Sequence, residues 1–195
     1  MTEDDARAWM VQRFGDAAAD RVRQFVDMVV AENSSQNLIS PGSIASVWVR
    51  HVVDSAQLIG LAPAGASTWV DIGTGGGFPG MVVALCWPGR VIMVEPRKRR
   101  AAFLQESADR LGLVNADVVA GKIESLATPA DVISARAVAS VEKLLQAARG
   151  CATPKTRWIL PRGQSPIGEI GGRLFHVEQS ITDPGSSILT LDGVG

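Results

Sequence analysis

Cysteine is scarce in this 195-residue chain. The two present, Cys86 and Cys151, stand far apart and outside any metal-ligand spacing, which argues against a disulfide framework and for a reducing compartment. Both are expected to be core thiols. Histidine is equally sparse, and no histidine–cysteine cluster suggests zinc, so no metal is expected. Charge of one sign is missing too. With 19 basic and 20 acidic residues the formal net charge is -1, so any contact with nucleic acid must come from a local patch. No run approaches the ~18 apolar residues of a membrane helix. The N-terminal MTEDDARAWM is acidic and lacks the pattern of a secretory signal. A cytoplasmic protein without membrane contact is therefore expected. A G-x-S-x-G elbow and a G-x-x-x-x-G-K-[ST] phosphate loop are both absent, as are internal repeats and low-complexity tracts.

What is present suits one folded domain: 46% hydrophobic and 20% charged residues. The first third reads as helical. Val22, Phe25, Val26, Val29 and Val30 recur at helical spacing, and the polar ENSSQN at 32–37 is expected to end that helix. Pro41-Gly42 is punctuation and Ser43 is a candidate N-cap. Ile44, Val47, Trp48, Val52 and Ala56 predict a second amphipathic helix. From residue 68 the texture changes to alternation. Strands are predicted at 68–72, 90–95, 116–120, 131–135 and 156–160, with helices following the glycines after 72, at 97–111 and at 140–149. Strands alternating with short helices imply an α/β fold, a mostly parallel sheet with helices on both faces. Two further strand-like runs, 174–181 and 187–191, suit an antiparallel edge hairpin turned by Asp183-Pro184-Gly185. The sheet would then have seven strands. Residues 1–66 form an N-terminal helical extension and 67–195 the cofactor-binding core of a single domain.

The sharpest signal is VDIGTGGGFPG at 70–80, where a buried strand runs into Gly73, Gly75, Gly76 and Gly77 and then a helix. Glycines there permit positive φ and let a ligand touch the backbone. In open α/β sheets ligands bind at the carboxyl ends of strands. Two ligands compete. As G-x-G-x-x-G, Gly75, Gly77 and Gly80 match the dinucleotide fingerprint. As D-x-G-x-G-x-G, Asp71, Gly73, Gly75 and Gly77 match the first methyltransferase motif. Asp71 favours the second, because a carboxylate suits the amino group and sulfonium of S-adenosylmethionine and would repel a pyrophosphate. The bland reading is that Asp71 only ties down the loop. Glu95, at the end of the second strand, suits the ribose hydroxyls; its bland reading is a salt bridge with the basic residues that follow.

Other polar points carry weaker signals. Arg97, Lys98, Arg99 and Arg100 point in different directions on a helix, so one or two could meet RNA phosphates while the rest form a solvated helix start. Ile123 and Glu124 follow the third strand and could lie against an adenine; otherwise Glu124 is an acid at a helix N-terminus. Arg136 follows the fourth strand and could orient substrate or cofactor, or pair with Asp131. Arg50 and Asp54 form an i,i+4 pair that can simply stabilise their helix, and His51 beside them reads as structural.

Together these residues resemble the bacterial small-subunit rRNA guanine-N7 methyltransferases, also called the glucose-inhibited division protein B family. The resemblance runs over about residues 20–165. Asn37-Leu38-Ile39-Ser40 looks like the family's NLT segment and VWVRHVVDS at 47–55 its VRHxxDS helix. VDIGTGGGFPG matches the glycine motif with its Phe78-Pro79-Gly80 ending. RKRRAAFLQE at 97–106 resembles the KRxxFLxx helix, GKIES at 121–125 the adenine segment, and ISARAVAS at 133–140 the ISRAxAS stretch, shifted so that its arginine is Arg136. Where relatives end the fifth strand in lysine-glycine, this chain has Leu160-Pro161-Arg162-Gly163.

The resemblance implies a Rossmann-like class I methyltransferase fold and methyl transfer from S-adenosylmethionine, leaving S-adenosylhomocysteine, to N7 of one guanosine in 16S rRNA of the small ribosomal subunit. It implies cofactor contacts at Gly73, Phe78, Glu95, Ile123, Glu124 and Arg136, to which the motif reading adds Asp71, Gly75 and Gly77. Arg136 is the residue expected to act at the methyl-transfer site, and a monomer is expected. Two alternatives stay open: an NAD-dependent oxidoreductase, and a non-catalytic ribosome-associated binder that keeps the pocket.

Overall fold

A computed structural model describes residues 1–136, 140–163 and 175–193. The chain begins with α1 (Glu3–Phe14), closed at its start by a reciprocal box in which the Thr2 hydroxyl accepts from the Asp5 N–H and the Asp5 carboxylate accepts from the Thr2 N–H. α2 (Asp16–Gln36) follows; Val22, Phe25, Val26, Val29 and Asn33 are buried. The polar stretch expected to stop α2 does so at its far end, with the helix running to Gln36. The stop is Asn37, in the left-handed region at φ 45°. Val30, expected inward, is 39% exposed, because Val22, Val26, Val29 and Asn33 already fill the inward stripe.

Residues 41–61 depart most from expectation. In place of one amphipathic helix there is a 3-10 turn (Pro41–Ser46), a π-helical turn (Trp48–Val53), a short α3 (Asp54–Ala56) and a second 3-10 turn (Gln57–Leu61). Ser43 is not an N-cap. It sits buried inside the first turn, and Ser40 takes the position before Pro41. The wider turn is engaged from outside the segment. The N–H groups of Trp48 and Val49, at the start of this turn, donate to the Glu3 carboxylate, at 3.1 and 2.9 Å. The same contact docks α1, reinforced by the Arg7 guanidinium 5.2 Å from the centroid of the Trp48 ring.

The sheet has seven strands: β1 (Thr68–Ile72), β2 (Arg90–Val94), β3 (Ala116–Val119), β4 (Val132–Ala135), β5 (Arg157–Arg162), β6 (His176–Gln179) and β7 (Ser187–Asp192). Their order is β3-β2-β1-β4-β5-β7-β6. β1 to β5 are parallel, and β7 runs antiparallel between β5 and β6. The predicted edge hairpin is therefore present, with Ser186 N–H donating to the Asp183 carbonyl across its turn. Strand order reverses between β1 and β4, the switch point where α/β sheets open a crevice at their carboxyl ends.

Strand alternation divides the core in two. Trp69, Val91, Met93 and Val132 pack on one face against α2, α4 (Gly80–Cys86), α5 (Lys98–Arg110) and the 41–61 segment. Val70, Ile72, Ile92, Val94 and Ile133 pack on the other face with Val141 and Leu144 of α6 (Val141–Ala147) and with Ile123. The first layer is continuous across residue 66, so the N-terminal helices share the core of the sheet. Ala101, Leu104, Ala108 and Leu111 of the helix predicted at 97–111 lie inward, Cys151 is buried, and Cys86 is partly buried. No helix among the described residues is long and apolar enough to cross a membrane. Nor do the described residues contain a group of three histidine, cysteine or acidic side chains able to hold a metal ion.

Candidate active site

β1 delivers the glycine turn to the switch point. Gly73, Gly75 and Gly77 have φ of 66°, 61° and 101°, a region costly for any side chain. Gly77 is also a packing position, since a Cβ there would stand 2.3 Å from Phe25 Cζ. Two carboxylates hold the turn, one at Gly75 and one at Gly80. Asp71 points into the first core layer and is fully buried. Its Oδ2 accepts from the Gly80 N–H at 2.9 Å, and its Oδ1 accepts from the Ser134 hydroxyl at 2.7 Å. Ser134 in turn accepts from the Trp69 indole N–H. Burial raises the Asp71 carboxyl to about 6, against the pull of its hydrogen bonds from Ser134, Thr74 and Gly80. Asp71 thus ties the turn to the start of α4, and any pull on a cationic ligand is exerted through space from beneath the turn.

Glu95, 3% exposed, follows β2. Its Oε2 accepts from the Gly75 N–H and its Oε1 from the Arg97 N–H, both at 2.8 Å. The expected competitor, a salt bridge to the basic run, is not formed; Glu95 takes a backbone donor from that run instead. Two of the run's side chains are turned toward α2. Arg100 donates to the Asn37 carbonyl at 3.1 Å and Arg99 to the Ser35 carbonyl at 3.5 Å, where the α2 dipole favours cations. Lys98 and Arg97 are exposed. Past β3, Ile123 is buried in a 3-10 turn (Ile123–Ser125), with exposed Glu124 beside it.

Arg136 leaves β4 across the switch point, and its partners come from the N-terminal segment. Its Nη1 donates to the Arg50 carbonyl at 3.3 Å and to Asp54 Oδ2 at 3.4 Å; its Nη2 donates to His51 Nδ1 at 3.0 Å. Asp131, the partner considered from sequence, is instead engaged by Ser67 and Thr68. The i,i+4 pair of Arg50 with Asp54 is not formed either, because Arg136 takes Asp54. His51 is pushed down to about 3, chiefly by burial and then by the Arg136 and Arg50 charges, and stays neutral. Since its Nδ1 accepts from Arg136, its Nε2 carries the proton and donates to Ser43 Oγ at 2.9 Å. Phe78 joins the two halves of the site. Its ring centroid lies 5.1 Å from that of His51 and 5.8 Å from the Arg136 guanidinium.

Sequence reading missed this hub. His51 and Asp54 were placed on one helix and in the VRHxxDS resemblance but not beside Arg136, and Ser134 lay in the ISARAVAS stretch without being singled out. Beside the hub a cavity of about 550 Å3 opens, lined by Arg50, His51, Asp54, Arg136 and Arg162 together with the β6–β7 hairpin.

A central glycine turn after β1, an acid after β2 and a seven-stranded sheet with an antiparallel β7 define the Rossmann-like class of methyltransferase folds. Solved structures with this fold superpose on the chain. A SAM-dependent methyltransferase from Aquifex aeolicus does so with a TM-score of 0.60 and 14% identity, over 84% of this chain and 98% of that one. A variant of MtNAS solved with S-adenosylmethionine gives 0.60 and 17%, over 91% and 76%.

Within that class, the chain belongs to the rRNA small subunit methyltransferase G family (GidB), whose model matches residues 18–181. It is 42% identical over 201 residues to ribosomal RNA small subunit methyltransferase G of Novosphingobium aromaticivorans, covering 97% of this chain and 87% of the relative. The Erythrobacter litoralis protein of the same name is also 42% identical, over 96% and 95%.

Proposed function

We propose that this protein methylates N7 of a guanosine in 16S rRNA of the small ribosomal subunit, using S-adenosylmethionine and releasing S-adenosylhomocysteine. The observation that carries this reading is the juxtaposition at the switch point. A glycine turn pinned between two buried carboxylates faces an arginine-lined cavity across Phe78, in a chain of the methyltransferase G family.

The residues fit the methyl donor. Positive-φ glycines keep the turn free of Cβ atoms, so a ligand can lie against its backbone. Glu95 is positioned for the ribose, buried Ile123 gives an apolar wall for the adenine, and Glu124 lies at its rim. Asp71 supplies negative charge under the methionine end. When bound, the sulfonium supplies the methyl group: the N7 lone pair forms the new N–C bond while the S–C electrons return to sulfur. Guanine N7 bears no proton, so no general base is needed to start, and the protein's contribution is chiefly placement, which can supply ~7–11 kcal/mol. Phe78 walls the reacting pair from water, and Arg136, fixed by three partners, orients the incoming nucleotide. The target base must be unstacked to reach the pocket. We read the chain as a single domain acting as a cytoplasmic monomer, with residues 1–66 as an extension that positions Arg136 and 67–195 as the cofactor-binding core.

Purified protein should transfer labelled methyl from S-adenosylmethionine to undermethylated small-subunit rRNA, and nuclease mapping should find the label on one 7-methylguanosine. Label found only on protein or on a small molecule would overturn the assignment. Asp71→Ala should lose S-adenosylhomocysteine affinity; retained affinity would remove Asp71 from the donor site.

A further inference from the structure

The cavity beside Arg136 has a chemistry that the methyl-donor site does not use. Arg50, Arg136 and Arg162 line it with Ser186 and Ser187, and it opens where β4 and β5 end. Amid these donors stands one carboxylate, Asp54. It is fixed from behind: Oδ1 accepts from the Gln57 amide at 3.0 Å and from the Thr182 hydroxyl at 3.1 Å. Oδ2 has only the long 3.4 Å contact with Arg136 among the described residues, and the side chain is 20% exposed. A carboxylate oxygen with a fixed position and spare lone pairs therefore borders an electropositive cavity of nucleotide size.

Base chemistry decides what such an oxygen can select. Guanine presents two adjacent donors on its Watson–Crick edge, N1–H and the 2-amino group. Adenine and cytosine present a ring nitrogen acceptor there, which a carboxylate repels. Uracil offers a single N–H flanked by two carbonyls. Holding guanine by its Watson–Crick edge also leaves the opposite edge, with N7, free to meet the methyl group. Methylation makes the base cationic, and a carboxylate on the far edge favours that charge.

We propose that this cavity takes the target nucleotide and that Asp54 is its specificity-determining residue, accepting from guanine N1–H and the 2-amino group while Arg50 and Arg162 hold phosphate. This rests on the reading above that the target is a guanosine.

The test compares binding of guanosine, inosine and adenosine 5′-monophosphates to the full chain saturated with S-adenosylhomocysteine, followed by NMR. Guanosine monophosphate should bind roughly tenfold or more tightly than the adenosine analogue. The inosine analogue, lacking the 2-amino group, should fall between. Asp54→Asn, which keeps an oxygen for Gln57 and Thr182, should erase the ranking. Arg162→Gln should weaken all three alike. Equal binding of the three by the wild-type protein, no binding at millimolar concentration, or a ranking preserved in Asp54→Asn would overturn the proposal. If Asp54→Asn does not fold by circular dichroism, the wild-type ranking and the Arg162→Gln result still decide. A parallel methyl-transfer assay on undermethylated small-subunit rRNA separates the two readings. Methyl transfer to a guanosine of the rRNA by a protein whose nucleotide binding shows no guanine preference sinks only the role of Asp54, whereas absence of transfer with intact donor binding sinks the rRNA assignment.

Discussion

Replacing Asp71 with asparagine should stabilise the protein at neutral pH and weaken its grip on the methyl donor. The carboxyl is fully buried, and its folded value of about 6 lies above the ordinary 3.8. Below pH 4 both folded and unfolded chains carry the proton, and the group has no net effect relative to asparagine. Between about pH 4 and 6 the folded state still binds the proton that the unfolded state has lost, so stability falls as pH rises. Above pH 6 the loss is complete, and the rise from 3.8 to about 6 corresponds to about 3 kcal/mol. Asparagine avoids that charge and can still accept from the Gly80 N–H. It strands the Ser134 hydroxyl proton, however, which returns about 1 kcal/mol. The net expectation is a gain of about 1–2 kcal/mol at pH 7.5 and none, or a small loss, at pH 4. Urea denaturation of both proteins across this range gives the difference directly. The difference is what matters, because His51 works the other way: its lowered value makes the folded state lose stability as pH falls below the ordinary 6.5. Calorimetry with S-adenosylmethionine supplies the second arm. A cationic ligand favours the ionised carboxylate, so wild-type affinity should decline below pH 6 while that of Asp71→Asn stays flat and weaker. A wild-type minus variant stability difference that is constant from pH 4 to 7.5 would refute the reasoning.

Other consequences are equally open to measurement. Gly77→Ala adds a Cβ at φ 101° and 2.3 Å from Phe25 Cζ, and should lower unfolding stability by ~2–4 kcal/mol in urea; a loss under ~1 kcal/mol would mean that the turn is not held against Phe25. Glu3→Ala leaves the Trp48 and Val49 N–H groups without their acceptor and should cost about 1–3 kcal/mol, with faster amide exchange at both; unchanged exchange would show that α1 does not dock there. The His51 ring, followed by NMR, should remain neutral from pH 5 to 8 with its proton on Nε2, and a titration midpoint near 6.5 would contradict its buried contact with Arg136.

Most strands and the glycine turn were legible because their causes are local. TWVDI is a buried run closed by glycines whatever surrounds it, and the positive-φ positions fall where the glycines stand. Helix periodicity placed α5 almost to the residue. The failures share one origin. The segment after Pro41 looks like an ordinary amphipathic helix until Glu3, 45 residues earlier, takes the Trp48 N–H. Arg50 and Asp54 look like a helix pair until the sheet delivers Arg136, 82 residues away from Asp54 in sequence, as the stronger partner.

The candidate site divides the same way. The identity of the turn, the acid after β2 and the arginine after β4 were all written in the linear order of residues, since each sits at the end of its own strand. Which carboxylate faces inward, which arginine meets which acid, and that an N-terminal turn and a C-terminal hairpin close one cavity around Asp54 depended on strand order. Periodicity records burial over a few residues; a hydrogen bond between distant segments exists only once the packed sheet has brought them within about 3 Å.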